Sequence, residues 1–337
     1  MSVTAPALGR GRRLVDPALR AAVSRLDEDT RRVASYHLGW CGTDGREVEG
    51  PSGKAIRPSL VMTAGEALGA DPEGLVVGAV AVELVHNFSL IHDDLMDRDR
   101  ERRHRPTVWS VWGDATAVLV GDALLSLAHE VLDDTRSPYA APASRALSRA
   151  TRELIRGQVL DVAFEARNDV TLPECLDMAA AKTGALLGVS AELGAVLAGA
   201  PAAAVTALRR YGEQLGLAFQ LVDDLLGIWG CPERTGKPVF SDLRSRKKTL
   251  PVMWAVHRGG APGRELARWL AGPPEPGESA LHRAADLVDF AGGRDWAQHE
   301  ARARVDAALA ALDGVVLDPD HRAELTHLAT FVVERDL

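Results

Sequence analysis

Across almost all of its 337 residues this chain repeats its apolar side chains at the spacing of a helix, and alternating β-branched runs are scarce. A chain patterned this way can bury its apolar stripes only helix against helix, so the expected fold class is all-α. Helix starts are legible. Asp71-Pro72-Glu73 supplies a cap, a proline for the first helical position and an acid for the first turn, and Thr171-Leu172-Pro173-Glu174 has capping-box spacing. The pattern predicts helices near 16–39, 54–69, 72–97, 107–133, 140–166, 172–199, 202–229, 249–258, 262–271, 278–290, 294–312 and 319–335. The breaks at 41–53, 98–106, 231–248 and 272–278 do not read as interdomain linkers. Residues 15–337 are therefore expected to form a single domain behind a disordered tail, 1–14.

Two segments of this helical chain carry charge where it is expensive. Residues 91–99 read Ile-His-Asp-Asp-Leu-Met-Asp-Arg-Asp, and residues 220–227 read Gln-Leu-Val-Asp-Asp-Leu-Leu-Gly. Adjacent carboxylates in an apolar helix repel each other and cost desolvation unless a cation sits among them. Asp93 and Asp97 are four apart and Asp94 and Asp97 three apart, so all three can project from one face. Such an oxygen-rich cluster suits Mg²⁺, a cation usually shared with substrate phosphates. The bland alternative is a solvated acidic turn with Arg98, Arg100 and Arg102 as surface partners. The likeness between residues 88–97 and 219–227 suggests two segments facing one cavity, as sites form in helical bundles, although by itself it is equally a coincidence.

Bulk properties narrow the class. A formal charge of −8 with no long basic block argues against a nucleic-acid binder. Cys41, Cys175 and Cys231 are odd in number and scattered, with neither metal-ligand spacing nor a disulfide framework, so a reducing cytosol is the default. Arg10, Arg12 and Arg13 have no apolar core behind them, so no signal peptide is expected. No uninterrupted run approaches the roughly 20 apolar residues of a membrane span. A cytoplasmic protein without a transmembrane segment is the expectation.

From about residue 50 to 251 the ordered motifs resemble those of the trans-isoprenyl diphosphate synthases, closest to short-chain geranylgeranyl diphosphate synthases. The resemblance implies an all-α, single-domain bundle of the isoprenoid synthase type around a central apolar cavity, and a homodimer. Its first aspartate-rich motif is Asp93-Asp94-Leu95-Met96-Asp97, with Asp93 and Asp97 as Mg²⁺ ligands. Arg102 would hold an allylic prenyl diphosphate and Arg103 isopentenyl diphosphate, through forked guanidinium donors. His104 stands where the family usually has glycine. Ser52-Gly53-Lys54-Ala55-Ile56-Arg57-Pro58 resembles a further motif, and Lys54, Arg57 and His86 would join Arg103 around isopentenyl diphosphate. Outside this series Lys54 and Arg57 would read as ordinary surface charges.

Gly157-Gln158 and Asp161 would add a metal ligand, Asp161, and hydrogen bonding, while Lys182 would meet the allylic diphosphate with Thr183 near the developing cation. In the second motif Gln220, Asp223 and Asp224 match, with Asp223 as metal ligand, but Gly227 replaces the last aspartate and removes one acceptor. Because Asp223 and Gly227 are one helical turn apart, Gly227→Asp is expected to change the rate only modestly. Lys237 and Lys247, in a loop that also holds Asp242, would close over the diphosphate.

The implied reaction breaks an allylic carbon–oxygen bond, and the cation is attacked by the double bond of isopentenyl diphosphate before a proton is lost. Growing charge on diphosphate must be neutralised and water kept out. Phe88 and Ser89, five and four residues before Asp93, would help form the floor of the product tunnel, in a pattern closer to geranylgeranyl than to farnesyl producers. Phe88 could equally be simple core. Two other readings remain open: a terpene cyclase of the same fold, and a non-catalytic subunit of a prenyltransferase heteromer.

Overall fold

The computed structural model describes residues 6–48, 53, 55–231, 239–272 and 277–334, and these are helical almost throughout. Contacts gather the chain into two compact units. The first holds Met1–Thr151, Leu186–Gly212 and Ala311–Leu328, and the second holds Arg152–Ala185, Glu213–Ala310 and Ala329–Leu337. One domain was expected because helices continue from one unit into the other, leaving no linker to read.

The first unit begins with α1 (Pro6–Val23), α2 (Glu28–His37), α3 (Ile56–Glu66) and α4 (Pro72–Met96). A two-stranded hairpin, β1 (Glu101–Arg102) and β2 (Arg105–Pro106), leads to α5 (Val108–Trp112) and α6 (Asp114–Asp133). In α4, Asp71 accepts from the Glu73 N–H at 3.1 Å and Pro72 occupies the first position, as its sequence predicts. The helix packs mainly on α3 and α6, burying Val82, Leu84, Val85 and Ile91. Gly121 permits that approach, because a Cβ there would collide with the His92 ring.

Two boundaries differ from expectation. The helix predicted over 16–39 is two helices, because Asp27 accepts from the Thr30 N–H at 3.1 Å and starts α2. The one predicted over 107–133 breaks at Gly113, whose φ of +85° ends α5. Residues 6–14, assigned to a disordered tail, lie instead in α1. Leu8 and Val15 are buried there, and Arg10 bridges Glu66 at 2.9 Å and Glu324 of α16 (Pro319–Glu334) at 2.6 Å.

The second unit takes in the later part of α7 (Ala140–Glu165), α8 (Leu172–Ala179) and a π-helical turn (Ala180–Gly184), and the chain continues into α9 (Ala185–Leu197), which belongs to the first unit from Leu186 on. The second unit continues with the later part of α10 (Ala202–Trp229), then α11 (Ser241–Arg244), α12 (Leu250–Arg258), α13 (Gly260–Leu270), α14 (Glu278–Phe290) and α15 (Gly293–Ala311). The capping box at Thr171 and Glu174 forms as predicted. Cys175, Leu221, Val222, Ile228, Val252 and Leu266 build the core.

By length and composition α4, α6 and the continuous helix Leu172–Leu197 are apolar enough to cross a membrane, contrary to the expectation that no segment is. Counting uninterrupted apolar runs missed them, because polar residues punctuate each one, such as Glu83 in α4, Asp122 in α6 and Lys182 in Leu172–Leu197.

Candidate active site

Asp93 and Asp94 occupy the last turn of α4 and Asp97 is its C-cap, after which Arg98 takes a left-handed φ of +56°. The C-terminus of a helix is its negative end, and α4 has no basic residue in that turn, so three carboxylates there call for outside cations. They do not share one environment. Asp93 and Asp97 remain partly exposed, whereas Asp94 is only 2% exposed and turns inward. Its Oδ1 accepts from Nε and Nη2 of Arg102, both at 2.7 Å. Burial pushes the Asp94 carboxyl up to about 6 in spite of that guanidinium, so at neutral pH the pair is still ionised. The single acidic face expected from spacing is thus corrected: two carboxylates are open and one anchors an arginine.

The hairpin explains how neighbouring arginines part. Glu101 pairs with Pro106 and Arg102 with Arg105, leaving Arg103 and His104 as a two-residue turn with φ of +53° and +60°. Tight hairpin turns need both central residues left-handed, which is why glycine is favoured where His104 stands. Arg102 returns to α4, while the Arg103 guanidinium lies against Gly53, where a Cβ would come within 2.8 Å of Nη2. Arg57 Nη1 is 3.2 Å from His86 Nε2, and burial beside Arg57, Arg103 and Arg102 holds that imidazole neutral. The Arg57, His86 and Arg103 group is thereby assembled, and Lys54 lies outside the described residues.

Three neighbours went unnoticed in the sequence. Arg12, assigned to a tail, donates to the Gly53 carbonyl. Glu83, one turn before His86, accepts from Asn87 Nδ2 at 3.2 Å, and burial raises its pKa against the pull of Arg57. His37 at the end of α2 is partly buried, its Nε2 atom enclosed with no hydrogen-bond partner among the described residues, and burial beside Arg102 and Arg103 lowers its pKa to about 3. A charged residue amid the apolar residues of α4 was a readable signal for Glu83. No sequence signal marked Arg12 or His37. Phe88 is buried with its ring edge-on to His92 at 4.9 Å, while Ser89 lies one turn before Asp93 on the same face.

In the second unit the π-helical turn presents Lys182 and Thr183. Gly157 allows α7 to approach, since a Cβ there would strike the Lys182 backbone. Lys182 Nζ meets Asp161 Oδ2 at 2.6 Å. Asp161, expected to ligate metal, accepts from that ammonium group through Oδ2. Both amide atoms of the buried Gln158 lack a hydrogen-bond partner among the described residues. A relay runs from Thr183 Oγ1 to Gln220 Oε1 at 2.6 Å, from Gln220 Nε2 to Asp224 Oδ1 at 2.7 Å, and from the Leu250 N–H to Asp224 Oδ2 at 2.8 Å. Asp223 is exposed and Asp224 buried, so the first-open, second-buried order of Asp93 and Asp94 recurs. Lys247 donates its N–H to the Asp242 carbonyl at 2.8 Å, and Lys237 lies outside the described residues.

Burial, with Asp242 nearby, pushes Asp224 up to about 8 from its ordinary 3.8. The folded chain therefore keeps a proton that the unfolded chain releases. The resulting stability is present below about pH 4 and lost as pH rises through about 8. Denaturant titrations of chelator-treated protein at about pH 5 and about pH 8 should show this loss, smaller in Asp224→Asn by on the order of 3–4 kcal/mol. Equal losses in both proteins would remove Asp224 as the cause.

The donors of each unit fit Mg²⁺. Asp93 and Asp97 in the first unit are accessible hard oxygen donors at a negative helix end, and Asp223 in the second is exposed. Among the described residues no group of three or more His, Cys, Asp or Glu side chains forms a ready cage. That is how Mg²⁺ is commonly held, by one or two carboxylates together with substrate phosphates.

Comparison with known proteins agrees with this arrangement. A family model described as polyprenyl synthetase matches residues 44–286. The chain is 58% identical over 335 residues to a (2E,6E)-farnesyl diphosphate synthase of Mycobacterium tuberculosis, covering 98% of this chain and 93% of that protein. It is 46% identical over 314 residues to a geranylgeranyl diphosphate synthase of the same organism, covering 93% and 90%. A polyprenyl synthetase crystal structure from Streptomyces coelicolor A3(2) superposes with a TM-score of 0.94 at 50% identity, covering 98% of this chain and 99% of that one. The chain belongs to the polyprenyl synthetase family, with the all-α isoprenoid synthase fold.

Proposed function

We propose that this prenyltransferase condenses isopentenyl diphosphate with an allylic prenyl diphosphate, chiefly to geranylgeranyl diphosphate. The observation that carries the reading is the end of α4: open carboxylates at a negative helix terminus, beside two arginines that a tight turn sends to different partners. Asp93 and Asp97 in the first unit, and Asp223 in the second, would each hold Mg²⁺, which when bound neutralises charge growing on the leaving diphosphate. Arg102 and Lys182 add positive charge on the allylic side. Arg57, Arg103 and neutral His86 hold isopentenyl diphosphate, the imidazole as a hydrogen-bonding group. Thr183, fixed by Gln220, lies near the developing cation, and the departed diphosphate takes the final proton. A homodimer is supported by α6, which leaves Val118 and Leu119 exposed.

Small Ser89 under Asp93 leaves room for a long chain and supports the C20 product. The 58% identity to a farnesyl diphosphate synthase favours a C15 product as the second reading. Mass analysis after incubation with Mg²⁺ and an allylic diphosphate, with and without isopentenyl diphosphate, decides. A C20 diphosphate supports the proposal and C15 the second reading. A hydrocarbon or alcohol would point to a cyclase, and no product to a non-catalytic subunit. Phe88→Ala should shift products to longer chains, assayed where the variant stays folded. An unchanged distribution would put the tunnel floor elsewhere.

A further inference from the structure

The second acidic motif ends in Gly227, and sequence spacing makes this look like a missing carboxylate. The space beside Gly227 is filled. A Cβ built there would fall on the carboxylate of Asp242, 2.9 Å from even its farther oxygen, Oδ1. Asp242 comes from α11, and several bonds fix that short helix to the end of α10. Ser241 Oγ lies 3.2 Å from the Gly227 carbonyl and 3.3 Å from Asp242 Oδ1. The Phe240 N–H donates to the Ile228 carbonyl at 3.3 Å.

We propose that Asp242 is the third carboxylate of the second acidic cluster, reaching from α11 into the space a side chain at 227 would take, with Gly227 the residue that admits it. The role rests on the diphosphate-binding reading above. Asp242 acts as a positioning residue. Its carboxylate would accept from the water around a cation held by Asp223, and its backbone carbonyl accepts the Lys247 N–H, which holds α11 to the residues just after it. The raised pKa of Asp224, to which Asp242 contributes, agrees with this proximity. The earlier expectation for Gly227→Asp is accordingly replaced. A carboxylate at 227 would compete with Asp242 for one space, so the single substitution should impair the site.

Calorimetry with inorganic pyrophosphate and Mg²⁺ tests the role without turnover, with unfolding curves in chelator confirming that each variant is folded. Asp242→Asn keeps the side-chain size and should weaken Mg²⁺-dependent pyrophosphate binding roughly 10-fold or more. Gly227→Ala should weaken it similarly, because its Cβ displaces the carboxylate. Combining Gly227→Asp with Asp242→Gly should restore binding to within about threefold of the natural chain, since one carboxylate again occupies one space. Natural affinity in Asp242→Asn would overturn the proposal, as would a double variant no better than Asp242→Gly alone. A natural chain that takes up no pyrophosphate with Mg²⁺ is a different result. It would remove the functional reading and this role with it.

Discussion

Asp93→Ala should lower condensation by roughly 10²–10³-fold or more while leaving the fold intact, the size expected when one group aimed at developing transition-state charge is removed. Asp93 is partly exposed at the negative end of α4, and no core packing depends on its carboxylate. Its removal should therefore hardly move the unfolding midpoint. It should also shift the Mg²⁺ dependence of the residual rate to higher concentration, because one ligand is gone. Single-turnover rates over an Mg²⁺ series, alongside thermal unfolding, check both parts. Near-normal turnover in folded Asp93→Ala would sink the assignment of the first metal site.

Arg102→Ala should behave differently, costing the fold as well as the chemistry. It leaves Asp94, only 2% exposed, without the guanidinium that meets it at 2.7 Å. Breaking a buried pair from one side typically costs about 3–5 kcal/mol. The sign with pH follows from Asp94, already raised to about 6 by burial with its partner present. Without Arg102 it rises further, so the variant should regain stability as pH falls and the carboxyl becomes neutral. Asp94→Asn in the same background should recover much of the loss at neutral pH. Denaturant unfolding of both variants measures this, and an Arg102→Ala protein as stable as the natural chain would show the pair to be unimportant. Turnover at saturating isopentenyl diphosphate should still be impaired, as Arg102 is assigned to the allylic side.

The helices were legible because burial imposes a period on sequence, and caps such as Asp71 and Thr171 act within a few residues. The acidic motifs were legible because charge inside an apolar helix is costly enough to stand out. Less visible were effects that depend on distant residues. The split of residues 16–39 turned on Asp27, a local cap that the apolar pattern overran. The hairpin at Glu101–Pro106 spans too few residues to show a strand period, and His104 disguises its turn by standing where glycine would announce it. Arg12 reached the Gly53 carbonyl from a segment that composition alone marked as a tail.

By itself the sequence determined the all-α class, the boundaries of most helices and the positions of the chemically active side chains, since periodicity and spacing are local properties. Only tertiary structure decided which acid of each pair stays open, because spacing along a helix fixes direction but not what lies opposite. Asp94 is turned to Arg102, and Asp224 to Gln220 and the Leu250 N–H. Tertiary structure likewise paired Asp161 with Lys182, and it filled the apparent vacancy at Gly227 with a carboxylate from fifteen residues further along the chain. A close approach between two helices depends on the path of the chain through space, and no spacing rule reports it.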